Sequence, residues 1–327
     1  MKEYYDLYMS IGIACRPAMH LGINDLRCEA FPLDWQMAYS LDTVIHLFKS
    51  SFQDFFSDIE EDTKQEGVEK NRRIIDIKNN IISIHHFPQS QELEETQREF
   101  RKKMIKRFTN LDRKLRESKR IVLVANRTES LEQLKDFLKQ FSQLYPHLEI
   151  KLINVRTVET KNSDKYERKC YHVAENLFIE EYLFNDVYNS ETGEMYSARG
   201  NISAWGNILK SYYLSCSVDG VKQLKKYKSI IIYGAGKNCI CVITKILKHE
   251  LPITGIAVSD INNNPSNVMG YDVNLIEKYD RTSLVVISLA NQKESIKIKD
   301  ELEKKGYCNL AMLGNYHRLI FLNKKEE

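Results

Sequence analysis

In SIGIACRPAMHL, residues 10–21, an apolar strand runs straight into Cys15, and Arg16 and Pro17 open what reads as a helix. A thiol at a helix amino end meets unsatisfied N–H groups and a positive dipole, and Arg16 adds charge, so the setting favours thiolate. The exit of a strand in an α/β sheet also borders the crevice where ligands bind. From position alone a small buried core residue is the simpler reading, because a nucleophile further needs a base and a group to orient it. IISIHHF, residues 81–87, offers His85 and His86. Neighbours on a strand point to opposite faces, so one of the two addresses the crevice, and the pattern does not choose between them. His20, about a turn beyond Cys15, covers a helix surface or approaches the thiol, and His46 among apolar residues reads as structural. Asp34 and Asn126 are candidates to orient an imidazole, and each is equally suited to capping or loop hydrogen bonding.

A second constellation is YGAGKNC, residues 233–239, between a strand and a helix. There Gly234 permits the turn, and Gly236 lets a phosphate approach the helix amino end next to Lys237. Asp260 ends the following strand at the spacing of a ribose-binding acid. Cys239 stands where a third glycine would complete the dinucleotide fingerprint, which favours a mononucleotide or nucleotide sugar over a full dinucleotide. Chain reversal alone is the other reading of these glycines.

The elements that must hold these residues follow from periodicity. Tyr5–Ala14 reads as a strand, Ser40–Phe56 as an amphipathic helix capped by Ser40 or Asp42, and the polar stretch from Ser57 to Arg73 as a solvated loop. Ile81–Phe87 reads as a strand and Ser90–Ser118 as a long helix with acids early and bases late. IVLVANR, a helix over 130–144 and LEIKLINV form a βαβ unit with parallel strands. Residues 157–169 and 185–202 look like loops, and SAWGNILKSYYL closes the region as a helix. From about Val218 the pattern restarts as a small doubly wound α/β domain, with NNNPSNVMGYDV as a turn-rich loop.

The fold class expected is thus α/β in two domains, 1–216 and 217–327, a size suited to the 327 residues. Lysine and arginine total 48 against 45 acids, a net +3 that gives no global attraction to nucleic acid. The basic run from 101 to 120 reads as a solvated helix face over an apolar stripe. Glu3 and Asp6 interrupt any secretory segment, and the apolar runs fall short of the roughly 20 residues of a membrane span. Seven cysteines without a repeated CxxC read as reduced thiols in a cytoplasmic chain, with no metal site. Oligomeric state is not legible.

SIGIACRPAMHL, FPLDW and IHHF together resemble a bacterial family of papain-like cysteine peptidases, over roughly residues 5–215. FPLDW departs from that family's Pro-Phe-Asp-Trp order by one inserted leucine. The resemblance implies Cys15 as nucleophile, His86 or else His85 as base, and hydrolysis or acyl transfer on a peptide or small molecule. Helix N–H groups near Cys15 would receive the oxyanion. YGAG, VSD and NNPSNVMGYDV are similar to the small Rossmann-like domain of bacterial surface-polysaccharide proteins, over about 218–315. That similarity implies a nucleotide or nucleotide-sugar ligand at Gly234, Gly236 and Asp260. The alternative is a non-enzymatic accessory or sensor of polysaccharide synthesis in which Cys15 is structural.

Overall fold

Strand-forming runs are buried and helix-forming runs lie between them, which yields a mixed α/β chain. The computed structural model describes residues 2–158, 165–187, 199–215, 224–289, 291–313 and 319–322. The chain divides into two units, Met1–Leu21 with Glu29–Tyr212, and Gly22–Cys28 with Tyr213–Glu327.

The first unit carries β1 (Glu3–Tyr5), β2 (Leu7–Ser10), α1 (Arg16–Ile23), β3 (Gln36–Met37), α2 (Leu41–Lys49), β4 (Ile59–Glu66), β5 (Arg72–Asp76) and β6 (Ile81–Ser83). Then follow α3 (Leu93–Glu117), β7 (Arg120–Ala125), α4 (Leu131–Leu144), β8 (Glu149–Thr157), β9 (Glu167–Ala174), β10 (Leu177–Phe184), α5 (Ile202–Leu209) and, at the border between units, β11 (Tyr212–Leu214). One sheet has the order β2-β7-β8-β10-β9. Its first four strands run parallel and β9 antiparallel. The α4 crossover between β7 and β8 starts at a capping box, in which Ser130 and Gln133 each accept from the other's backbone.

Three segments differ from their sequence reading. The polar stretch after Ser57 is β4, at the edge of an antiparallel sheet of order β3-β6-β5-β4. Cross-strand pairs hold it, Arg73 to Asp62 at 3.1 Å and Arg72 to Glu61 at 3.4 Å, so it shows no apolar alternation. Helix α2 stops at Lys49, and Ser51, Phe52 and Phe56 take left-handed backbone. That winding buries Phe52, Phe55 and Phe56 together, with Phe52 stacked on Phe108 at 4.7 Å. The third is SAWGNILKSYYL, read as one helix: the helix ends at Leu209, and Tyr212–Leu214 is a strand. LFIEEYLF, which the sequence reading leaves without an element, is a buried strand despite two acids. Glu180 meets Lys151 at 2.9 Å and Tyr212 at 3.0 Å, and Glu181 meets Arg156 at 2.5 Å.

The second unit contains β12 (Ile230–Tyr233), α6 (Lys237–Lys248), β13 (Gly255–Val258), β14 (Asn267–Val268), β15 (Tyr271–Leu275), β16 (Leu284–Ile287), α7 (Gln292–Lys304), β17 (Leu310–Leu313) and β18 (Leu319–Phe321). Their order is β14-β15-β13-β12-β16-β17-β18. The five central strands are parallel, and the two outermost are antiparallel to their neighbours. The sheet therefore grows in opposite directions on the two sides of β12. The loop expected over NNNPSNVMGYDV contains the β14–β15 hairpin, closed by Met269 and Gly270 at φ +52° and +87°. Within this unit Asp25 pairs with Lys245 at 2.5 Å, which fastens residues 22–28 to α6. No helix among the described residues is long and apolar enough to cross a membrane.

Candidate active site

Beyond β2 the chain stays paired for one more residue, with Ile11 N–H donating to Val124 O at 2.9 Å. It then turns at Gly12, where an added Cβ would lie 2.4 Å from Asn126 Oδ1 and 2.5 Å from Pro17 Cγ. Only a residue without a side chain fits between the β7 exit and the first turn of α1. Cys15 follows at the cap of α1, its carbonyl accepting from Met19 N–H at 3.1 Å. The thiol is half-buried, at the carboxyl end of the parallel sheet.

His85 is the histidine brought to it. Cys15 Sγ and His85 Nε2 are 3.5 Å apart. Trp35 packs edge-on against the His85 ring, with centroids 5.9 Å apart, and holds its plane. Strand β6 ends at Ser83, so simple alternation does not govern the two rings. His86 turns inward, with Nδ1 3.1 Å from Ser83 Oγ and its ring 5.1 Å from Phe100. Burial, with Arg107 and Lys103 nearby, pushes His86 down to about 3, so it stays neutral. Burial also lowers His85, against the pull of the Glu69 carboxylate.

The thiol departs from the sequence expectation. Burial pushes Cys15 up to about 11, and the Asp34 charge works in the same direction. Arg16 does not offset this, because its guanidinium pairs with buried Asp186 at 2.8 Å. The pair at rest is therefore thiol and imidazole rather than thiolate and imidazolium. In the Nδ1–H tautomer of that state, Sγ–H donates and Nε2 accepts.

Asp34 acts on the thiol through its charge. Asp34 Oδ2 accepts from Phe31 N–H at 2.8 Å and closes the turn that presents Trp35. Asn126 Oδ1 is buried and has no hydrogen-bond partner among the described residues. His20 lies stacked on Trp205 at 4.6 Å with Nε2 2.8 Å from Arg199 O. Sequence reasoning missed Arg127, which is fully buried and ties the site together. Its Nε donates to Ile11 O at 2.7 Å and its Nη1 to Tyr39 O at 3.1 Å, so it fastens the Cys15 loop to the end of β3. An arginine directly after an apolar strand was the available signal.

In the second unit Gly234 has φ +101°, a conformation glycine adopts freely, and donates to Ala257 O at 2.8 Å. Gly236 caps α6, and a Cβ there would meet nothing within 4 Å. The Lys237 side chain lies outside the described residues. Asp260 is engaged in its own loop, accepting from Asn262 N–H at 2.9 Å and from Asn262 Nδ2 at 3.0 Å. Buried Cys239 packs in the apolar core of this unit. Among the described residues no group of three or more His, Cys, Asp or Glu is arranged to hold a metal ion.

Residues 6–163 match the model of a family described as "Putative papain-like cysteine peptidase". The matched segment contains Cys15, Asp34, His85, His86 and Asn126. No curated protein and no solved structure matches the chain.

Proposed function

We propose that the first unit is a cysteine-dependent hydrolase or acyltransferase acting on a carbonyl of a peptide or small molecule. The observation that carries this reading is the 3.5 Å approach of Cys15 Sγ to His85 Nε2 at a strand exit. The thiol proton passes to Nε2 as Sγ attacks the carbonyl carbon, and the carbonyl oxygen takes the negative charge. Collapse of this adduct expels the leaving group, which takes the proton from Nε2, and leaves a thioester on Cys15. Water or another acceptor then attacks the thioester while His85 again removes a proton. Family similarity over residues 6–163 supports the same class.

Incubation with a panel of p-nitrophenyl esters and peptide thioesters, followed by intact mass measurement, tests the reading. An acyl adduct that maps to Cys15 and is lost in Cys15→Ala is expected. Turnover retained in Cys15→Ala, or adducts distributed over exposed cysteines, would sink it.

For the second unit the reading is a nucleotide or nucleotide-sugar module with a Rossmann-like fold, cytoplasmic in setting. Its support is the open space at Gly236, the cap of α6, where an added Cβ would meet nothing within 4 Å. UDP-GlcNAc or CMP should raise the melting temperature of the full chain, since a ligand held only by the folded state stabilises it. Gly236→Val should abolish the rise. No response to either, or to NAD, leaves a partner-docking or structural module, the accessory role in polysaccharide synthesis being one form of it.

A further inference from the structure

A base that takes a proton from a thiol needs its ring held, and a third side chain hydrogen-bonded to it is the usual device. Among the described residues, the Cys15 thiol is the one hydrogen-bonding partner of the His85 ring. The backbone that carries His85 is fixed on both sides instead. Ile84 O accepts from Val68 N–H at 2.9 Å, and Phe87 O accepts from Arg72 N–H at 2.6 Å. Between those two points His86 Nδ1 lies 3.1 Å from Oγ of Ser83, a fully buried residue. The His86 and Phe87 rings both pack on Phe100, with centroids 5.1 Å and 4.9 Å away. Strand alternation would send two consecutive side chains to opposite faces, so the chain bends here. Of the three rings at 85–87, His85 is the one left facing Cys15.

We propose that His86 is a positioning residue for His85: Ser83 Oγ and Phe100 lock the His86 ring, and the locked ring sets the backbone from which His85 Nε2 reaches the thiol. The inference rests on the Cys15–His85 reading, and it gives the orienting role to the next residue in sequence rather than to a carboxylate on His85 itself. His86 takes no proton and touches no reacting atom. Its effect is geometric, because rotation at residue 86 turns the peptide it shares with His85 and swings the imidazole away from its 3.5 Å approach. A misplacement of about 1 Å at a reacting group costs up to roughly 10²-fold in rate.

Single-turnover acylation of the full chain by p-nitrophenyl acetate tests this, with the rate constant and the half-saturating ester concentration fitted separately and melting temperatures taken on the same samples. His86→Asn keeps an amide near the place of Nδ1, and so keeps a partner for Ser83. His86→Leu fills the space against Phe100 without one. His86→Leu and Ser83→Ala should each slow acylation roughly tenfold to hundredfold at an unchanged half-saturating concentration, while His86→Asn stays within about threefold of the parent. Parent rates in both His86→Leu and Ser83→Ala would overturn the proposal. Equal losses in His86→Asn and His86→Leu would overturn it too, since the bond to Ser83 would then contribute nothing. If His86→Leu melts early, Ser83→Ala, which removes a single oxygen, decides. His85→Ala measured alongside separates the two readings: an undiminished rate there removes the dyad itself, whereas a lost rate there with parent rates in His86→Leu and Ser83→Ala removes only the positioning role.

Discussion

Arg16 Nη1 reaches across 170 residues of sequence to Asp186 Oδ2 at 2.8 Å, so its charge is paired away from the thiol of its neighbour in sequence, Cys15. Trp205 Nε1 donates to the other oxygen of Asp186, also at 2.8 Å. The arginine next to Cys15 is thereby spent on anchoring α1, and the thiol is left to burial and to His85.

Alkylation of Cys15 should therefore rise steadily with pH through the alkaline range rather than level off below pH 8. The folded thiol titrates near 11, above its unfolded value near 8.5–9, so folding gains stability below about pH 9 that is lost as pH rises toward 11. The measurement is a pH series of alkylation rates with urea midpoints on the same samples. A plateau below pH 7 would show a thiolate–imidazolium pair instead.

Replacement of the two adjacent histidines should give opposite phenotypes. His85→Ala should lower the rate of Cys15 acylation by roughly 10²–10⁴-fold with little change in stability. His86→Ala should leave a cavity against Phe100 and lower stability by about 2 kcal/mol, with a smaller effect on acylation. Single-turnover acylation and urea unfolding of both variants decide it.

Acid should destabilise the fold in part through two buried histidines. His20 and His86 both have folded values near 3, below the 6.5 of an unfolded imidazole. The stability they contribute is complete above pH 6.5 and is lost as pH falls toward 3. Urea midpoints should decline from pH 7 to pH 4, and His86→Phe, which takes up no proton, should flatten part of that decline. Equal slopes in both proteins would assign the acid sensitivity elsewhere.

Asp186→Ala should cost about 3 kcal/mol or more, because it leaves the Arg16 guanidinium and Trp205 N–H without their carboxylate. Asp186→Asn should cost less, since burial already raises this carboxyl toward its neutral form. Thermal melts of the two variants provide the comparison, and equal losses would contradict the pairing argument.

Gly12→Ala should lower both stability and Cys15 reactivity. The added methyl group would lie 2.4 Å from Asn126 Oδ1 and 2.9 Å from Pro17 Cδ, so the β7 exit and α1 must separate. Overpacking of this kind costs about 1–3 kcal/mol. Urea unfolding and the alkylation assay, run on one preparation, check both halves.

Local pattern carried much of the scaffold. The apolar run into Cys15, the helix over 131–144 between two buried strands, and the alternation after Ile230 are each written in a few consecutive residues, because hydrogen-bonding period and burial act locally. Where burial is satisfied by partners distant in sequence, that pattern disappears. Strand β4 looks like a loop because arginines on β5 neutralise it, and the two acids of β10 are matched by Lys151 and Arg156 on β8. The histidine pair shows the same limit at the candidate site. Strand alternation left His85 and His86 equivalent, and the tertiary structure separated them by ending β6 at Ser83 and drawing His86 onto Phe100. Sequence placed a thiol at a helix amino end, but the sign of its shift was decided by long-range packing. Burial of Cys15 depends on the surrounding loops, and the charge of Arg16 is taken by Asp186, neither of which is encoded within the stretch that contains the thiol.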